Sequence, residues 1–215
     1  HHWEISRRLF PRASANEIYG ASELSFVTVN SGEAGRSGSG FVGKPFPGVE
    51  IEIRPAGVET GLVYVRSPYL FDGYFDESGR QSPIGSDGFM TVGDVGTLED
   101  DGLSITGRAS NLLITGGKNV HPEEVETQLA GHPSVRECVV AGVPDRRWGE
   151  QLVAFVVAAD PDREPGADEL REHLKGRVAS YKIPKRWFLV EEFPRTRAGK
   201  TDRSRERLLA EATEI

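Results

Sequence analysis

Several short stretches of the chain hold the side chains that could do chemistry. Ser22-Glu23 sets a hydroxyl beside a carboxylate, and Tyr19-Gly20 stands just before it. Carboxylate oxygen suits a hard cation, and a hydroxyl can donate to an oxyanion. Asp94 follows Gly93, and Arg108 follows Gly107. Gly116-Gly117 removes side chains from a loop, which permits close approach of another molecule. Lys200 follows Gly199 in a polar segment, where a flexible stem can present its ammonium to an anion. Taken singly, each stretch has a plainer reading. Ser22-Glu23 would suit a capped turn, Asp94 a surface turn, Gly116-Gly117 a tight turn after a strand, and Lys200 a solvated basic loop.

Two motif matches do not survive inspection. Gly38-Ser39-Gly40-Phe41-Val42-Gly43 fits the GxGxxG dinucleotide fingerprint. That fingerprint needs a helix opening at the turn, with its N-terminus toward a pyrophosphate. Pro45 and Pro47 follow at once and oppose a helix. Ala198-Gly199-Lys200-Thr201 resembles the end of a phosphate-binding P-loop, but the glycine required five residues before Gly199 is Pro194. Cys138, the single cysteine, lies among Val135, Val139 and Val140 and reads as a buried strand thiol rather than a nucleophile.

The elements that must position these residues fall into two blocks within 215 residues, enough for one large or two small domains. The first, to about residue 107, is rich in strands and turns. Leu24 to Val29 and Leu62 to Val65 read as strands. Val49 to Ile53 alternates apolar and charged residues, as in a half-buried strand. Gly32 to Gly40 is a Gly/Ser loop, and Asp87-Gly88 and Asp101-Gly102 are turn signals. The second block begins with a short strand at Leu112 to Ile114. Pro122, followed by Glu123-Glu124, opens a helix with Val125 and Leu129 on one face. Strands are expected at Val135 to Val143, Leu152 to Ala158 and Trp187 to Val190. A second helix is expected over Asp168 to Val178 and a last one over about Asp202 to Ala212. The fold class is α+β, with the block boundary near Arg108 to Asn111.

Composition narrows the function classes. Hydrophobic residues make up 37% and charged residues 27%, ordinary for a soluble globular protein. The net charge of −7 gives no general support for nucleic-acid binding. No apolar run approaches the ~18 residues of a membrane span. The opening His1-His2-Trp3-Glu4 lacks the apolar core of a signal peptide, and His1-His2 reads as a tag remnant. A cytoplasmic location is the expectation, and the lone cysteine fits it.

In order and spacing, the stretches resemble the second half of the adenylate-forming superfamily, most closely its fatty- or carboxylic-acid–CoA ligases. Tyr19-Gly20-Ala21-Ser22-Glu23 is similar to an aromatic-Gly-x-Thr-Glu motif. The resemblance implies that Tyr19 lies on adenine beside Gly20, that Glu23 helps hold Mg²⁺, and that Ser22, standing for the usual threonine, approaches the phosphate and acyl carboxylate. Gly40 to Glu50 and Gly73-Tyr74-Phe75 match scaffold segments. Asp94 would bind both ribose hydroxyls and Arg108 the nucleotide. The usual hinge Asp or Lys is Ser110 here. Gly116 and Gly117 would line the pantetheine passage, with Trp148 and Tyr181 against coenzyme A and Lys185 at its phosphates, although a nearby arginine of some relatives is Ile183. Pro194 to Lys200 resembles Pro-x-Thr-x-x-Gly-Lys, whose lysine serves adenylation.

The resemblance therefore implies residues 1–109 as the β-rich end of a large AMP-binding domain and 110–215 as the small α+β C-terminal domain. It implies ATP, Mg²⁺ and coenzyme A, a carboxylic-acid substrate, acyl-AMP formation and transfer to CoA. The family's phosphate loop and most of its acyl pocket would lie before Tyr19, so an N-terminal part of the same enzyme is expected as a partner and the chain alone should be inactive. Two alternatives stand beside this reading: loading of the acyl group onto a carrier protein, and a non-catalytic binding or assembly module.

Overall fold

The computed structural model describes residues 8–31, 40–55, 60–210 and 212–215. Most of the expected Gly32 to Gly40 loop, part of the GxGxxG match and His1-His2 lie outside the described residues. The chain divides into two compact units, His1–Ser110 and Asn111–Ile215. The fold class is α+β, with strands predominating.

Among its described residues the first unit is built mainly of strands. They are β1 (Glu17–Ala21), β2 (Ser25–Asn30), β3 (Phe41–Pro45), β4 (Glu50–Pro55), β5 (Gly61–Arg66), β6 (Tyr74–Asp76), β7 (Gly79–Gln81), β8 (Asp94–Glu99) and β9 (Gly102–Arg108). Seven form a sheet in the order β1-β2-β3-β9-β8-β5-β4, and β6-β7 is a separate hairpin. Leu24, Val27, Val63, Val65, Met90 and Leu103 make the buried core. In β4 the apolar positions Ile51 and Ile53 turn partly inward against that core while Glu50 and Glu52 face water, as the alternation requires. The last glycine of the dinucleotide match lies within β3, so a strand occupies the place where that fingerprint needs a helix.

The second unit orders around β13 (Gly149–Ala158). Before it come β10 (Leu113–Thr115), β11 (Lys118–Val120), helix α1 (Pro122–Leu129) and β12 (Val135–Asp145). After it come helix α2 (Ala167–Leu174), β14 (Arg186–Leu189), helix α3 (Arg205–Ala210) and β15 (Thr213–Glu214). β13 pairs antiparallel with β12 along one edge and parallel with β14 on the other. A parallel partner demands a crossover, and the segment containing α2 supplies it. Residues 152–157 are all buried, so β13 feeds two cores. Leu152, Ala154 and Val156 join Val125, Leu129, Leu170 and Leu174 of the helices. Val153, Phe155 and Val157 join Phe188, Phe193 and Leu208.

Pro122 opens α1 at its first position, with Glu123 and Glu124 in the first turn and Val125 and Leu129 wholly buried. Two expected helices are shorter than their sequence patterns. The helix expected to reach Val178 ends at Leu174, because Lys175 is extended and Gly176 adopts φ 75°, outside the helical region. The last helix spans only Arg205–Ala210, since Asp202 turns the chain by accepting from the Ser204 amide at 2.9 Å. The chain then returns as β15 on β14.

Phe155 is fully buried and stacks on Phe188 with centroids 5.1 Å apart. Phe155→Ala should destabilise the second unit by about 3–5 kcal/mol, read as a lower urea midpoint at unchanged slope. A residue Asn111 to Ile215 fragment should melt cooperatively, since its apolar faces close within the unit; dye binding without a thermal transition would count against this.

Candidate functional site

In the first unit Asp94 opens β8, Arg108 closes β9 and Tyr19 lies midway along β1. β8 and β9 run antiparallel, and their register sets Asp94 opposite Arg108. The Asp94 side chain is 9% exposed. Its Oδ1 accepts from Arg108 Nε at 2.9 Å, and its Oδ2 accepts from the Tyr19 hydroxyl at 2.6 Å. A carboxylate has about four acceptor positions, so this pair of bonds leaves room for further donors such as a diol. Tyr19 has its ionisation pushed well above the ordinary tyrosine range. Burial is the main cause, the hydrogen bond to Asp94 and that group's negative charge add to it, and Arg108 opposes it.

The Tyr19 to Glu23 stretch forms the end of the β1–β2 hairpin. Ala21 pairs with Ser25, leaving Ser22, Glu23 and Leu24 as the connecting loop. Ser25 closes it in the left-handed region at φ 57°. A Cβ on Gly20 would sit 1.9 Å from the Ser25 carbonyl oxygen, so only glycine fits there. Ser22 is exposed at the loop tip. The Glu23 carboxylate accepts from the Tyr74 hydroxyl at 2.8 Å. Tyr74, expected only as scaffold, thus touches a candidate metal ligand; nothing in the Gly73-Tyr74-Phe75 spacing reveals a contact to a residue 51 positions earlier. Among the described residues no group of three or more His, Cys, Asp or Glu is arranged to hold a metal. One carboxylate fits a Mg²⁺ ion held chiefly by phosphates and water, not an all-protein cage.

The second unit carries two further constellations. Gly116-Gly117 is the two-residue turn of the β10–β11 hairpin, and Thr115 pairs with Lys118. Both glycines have positive φ, 56° and 76°, as a type I′ turn requires. A Cβ on Gly116 would lie 2.8 Å from the Trp148 ring, whereas one on Gly117 meets nothing within 4 Å. Trp148 stands in the β12–β13 turn. The Asp145 side chain accepts from its amide at 2.9 Å, and Gly149 closes the turn at φ 77°. Gly116, Trp148, Tyr181 and Lys185 line one cavity of about 170 Å³ together with Lys118 and Ile183. Gly117 is not among the lining residues. Lys118 Nζ lies 4.5 Å from the centre of the Tyr181 ring, a cation–π contact that one lysine after two glycines does not announce in sequence.

Lys200 sits in a separate tight loop. Arg195 bridges Thr201, the Thr196 amide donates to the Lys200 carbonyl at 2.7 Å, and Gly199 turns the chain at φ 76°. The lysine is exposed. Ser110 lies in a single 3₁₀ turn, Ala109–Asn111, where the two units divide. Cys138 is half-buried on β12; burial first and the Glu126 charge second push its thiol up to about 12, which makes it inert at neutral pH.

Residues 124–200 match the AMP-binding enzyme C-terminal domain family. An uncharacterized acyl–CoA ligase of Bacillus subtilis (strain 168), YhfT, is 39% identical over 203 residues, covering 91% of this chain and 40% of that protein. The chain belongs to the adenylate-forming superfamily. A long-chain-fatty-acid–CoA ligase of the same strain is 35% identical over 206 residues, covering 92% of this chain and 36% of that protein. Among solved structures, the o-succinylbenzoate CoA synthetase MenE from Bacillus subtilis, in complex with the acyl-adenylate intermediate OSB-AMP, superposes with a TM-score of 0.79 at 33% identity. That match covers 95% of this chain and 43% of MenE. This superfamily chain thus spans about 40% of the relatives it matches. Among its described residues no helix is long and apolar enough to cross a membrane.

The Tyr19–Asp94 bond has a measurable signature. Because folding raises the Tyr19 pKa, its contribution is complete below the unfolded value near 10 and is lost as pH rises above it. Tyr19→Phe should therefore show a shallower fall in urea midpoint between pH 9 and 11 than the unaltered chain. It should also cost about 1–3 kcal/mol at pH 7, where the buried carboxylate loses one donor. An unchanged alkaline slope would show that Tyr19 is solvated.

Proposed function

We propose that this chain is part of an acid–thiol ligase that joins a carboxylic acid, fatty or otherwise, to coenzyme A through an acyl-AMP intermediate. Residues 1–109 are the end of the large AMP-binding domain and 110–215 the small C-terminal domain. In adenylation the Asp94 carboxylate, held by Tyr19 and Arg108, receives the ribose hydroxyls, and the Tyr19 ring and Gly20 bound the adenine. Ser22 donates to the phosphate or acyl carboxylate. Glu23, steadied by Tyr74, holds the Mg²⁺, which neutralises phosphate charge when bound. Lys200 supplies a cation where negative charge builds as the carboxylate attacks the α-phosphorus and pyrophosphate leaves. In the second step the thiol attacks the acyl carbonyl and AMP departs. Gly116 lies along the thiol's path, with Trp148, Tyr181 and Lys185 against the coenzyme; Gly117 shapes the turn without lining it. Ser110 is the hinge between the two steps. The setting is the cytoplasm.

The observation that carries this reading is the convergence of Gly116, Trp148, Tyr181 and Lys185 on one cavity from three separate parts of the chain. Aromatic faces beside lysines suit a nucleotide thiol with phosphates better than the surface of a carrier protein. Carrier loading remains the second acceptor, separated by direct competition between CoA and a carrier. The acid itself is open, since relatives act on a long-chain fatty acid and on o-succinylbenzoate.

In the longer polypeptide, Lys200→Ala should lower acyl-AMP formation about 10²–10³-fold and leave thioester formation from supplied acyl-AMP nearly unchanged. Equal losses in both half-reactions would sink the assignment. The 215-residue chain by itself should release no pyrophosphate with short, long or aromatic acids, with or without CoA, because positioning and charge stabilisation act as a unit. Acid-dependent turnover by a chain of confirmed mass would overturn that expectation and place a whole site within these residues; retained partner binding without ATP binding would favour an assembly module.

A further inference from the structure

The Lys200 ammonium is exposed, and its place is set by the backbone of a short loop. What holds that loop is therefore part of the site. Among the described residues, side chains tie the loop to β12, to α1 and, through Arg207 on Asp202 at 2.9 Å, to α3. On its entering side, Arg195 donates to both carboxylate oxygens of Glu137 on β12, at 3.0 and 2.8 Å, and to Thr201 at 2.8 Å. The Arg195 and Glu137 side chains are 46% and 37% exposed, and such pairs stabilise by at most about 1 kcal/mol. On its leaving side, Arg203 donates to Glu126, whose side chain is only 14% exposed.

Glu126 does more than pair with an arginine. Among the described residues β12 lies at the edge of its sheet and pairs with β13 alone. Its outward amides need acceptors from elsewhere. Val140, paired with Ala154 across the sheet, donates its N–H to Glu126 Oε1 at 2.6 Å. The same oxygen receives Arg203. One carboxylate on α1 thus closes a sheet edge and anchors the residue three positions after Lys200. Burial raises the Glu126 pKa above the usual carboxylate range, opposed by Arg203 and the Val140 amide, while Glu123 adds to the rise. Its charge therefore depends on those two donors. A buried carboxylate deprived of one partner is costly, so the tie is stiff where the Arg195–Glu137 tie is loose.

We propose that Glu126 is a positioning residue for Lys200: by binding the β12 edge and Arg203 at once, it fixes the loop that presents the lysine. The proposal rests on the adenylation role given to Lys200 above. Neither Glu126 nor Arg203 would touch a substrate. The prediction is a loop property, so it can be read without turnover.

The test is backbone ¹⁵N relaxation on the 215-residue chain. In the unaltered chain the Lys200 amide should have an order parameter near about 0.85, the value of a rigid backbone. Glu126→Gln and Arg203→Gln should each lower it below about 0.6 while amides of β13 stay unchanged. Arg203→Lys, which keeps the charge, should recover most of the order. The double variant should be no looser than either single one, because one interaction is lost in all three. If Glu126→Gln unfolds the unit, the partly exposed Arg203 variants still decide. A Lys200 amide already mobile in the unaltered chain, or equally rigid in the variants, overturns the proposal. In the longer polypeptide, Glu126→Gln should lower the turnover of acyl-AMP formation about tenfold and spare the thioester step. Loosening without a selective adenylation loss in Lys200→Ala would uphold the positioning and reject the role of the lysine. A selective Lys200→Ala loss with a rigid loop in every variant would do the reverse.

Discussion

The second unit depends on β13 being buried on both faces. A slip of one residue would turn every side chain to the opposite face, taking Leu152, Ala154 and Val156 out of one core and Val153, Phe155 and Val157 out of the other, so the register of this strand is strongly specified. That fixed register propagates outward. It sets β12 along one edge, and with it the Asp145 to Gly149 turn that holds Trp148. It sets β14 along the other edge, and the Lys185 amide donates to the Leu152 carbonyl at 2.9 Å, placing Lys185 beside the same cavity. The cavity is a consequence of where β13 begins.

In the first unit the comparable constraint is electrostatic. Asp94 is a nearly buried carboxylate, and burying a charge is expensive unless partners replace its water. Arg108 and Tyr19 do so from two other strands, and the hydroxyl bond also keeps Tyr19 neutral. The result is an acceptor already desolvated and oriented before any ligand arrives, which is the condition for a polar group to bind strongly rather than merely exchange water for ligand.

The legible parts of the chain were those governed by local rules. Pro122 before two glutamates announced α1, Gly116-Gly117 announced a tight turn after a strand, and the run from Leu152 to Ala158 announced a strand. The ends of α2 and α3 were overdrawn because apolar spacing continues past the point where Gly176 and Asp202 redirect the backbone. β15 was missed because two residues carry no periodicity. The contacts of Tyr74 with Glu23, Lys118 with Tyr181 and Glu126 with Val140 were invisible for a different reason. Each joins residues from different elements, and no spacing rule encodes which surfaces packing will bring together. Asp94, Arg108 and Lys200 could be marked as candidates only through an ordered resemblance, since a lone Asp or Lys after glycine is common in turns.

The second unit also holds its two constellations on different supports. The cavity beside Trp148 hangs from β13 and the β10–β11 turn, while the Lys200 loop is pinned to the outer edge of β12 through Glu126 and Glu137. No residue of 194–203 lines the cavity. Between them lies a sheet whose register is locked from both faces, so local rearrangement cannot trade one constellation for the other. If Lys200 serves acyl-AMP formation and Gly116 the thiol, the unit must exchange them by turning as a whole. The place for that turn is a short segment outside both cores, and Ala109–Asn111 is such a segment: a single 3₁₀ turn with no buried residue. On the proposed mechanism, a rigid sheet and a junction outside both cores are complementary requirements, the first keeping each constellation intact and the second letting either be presented.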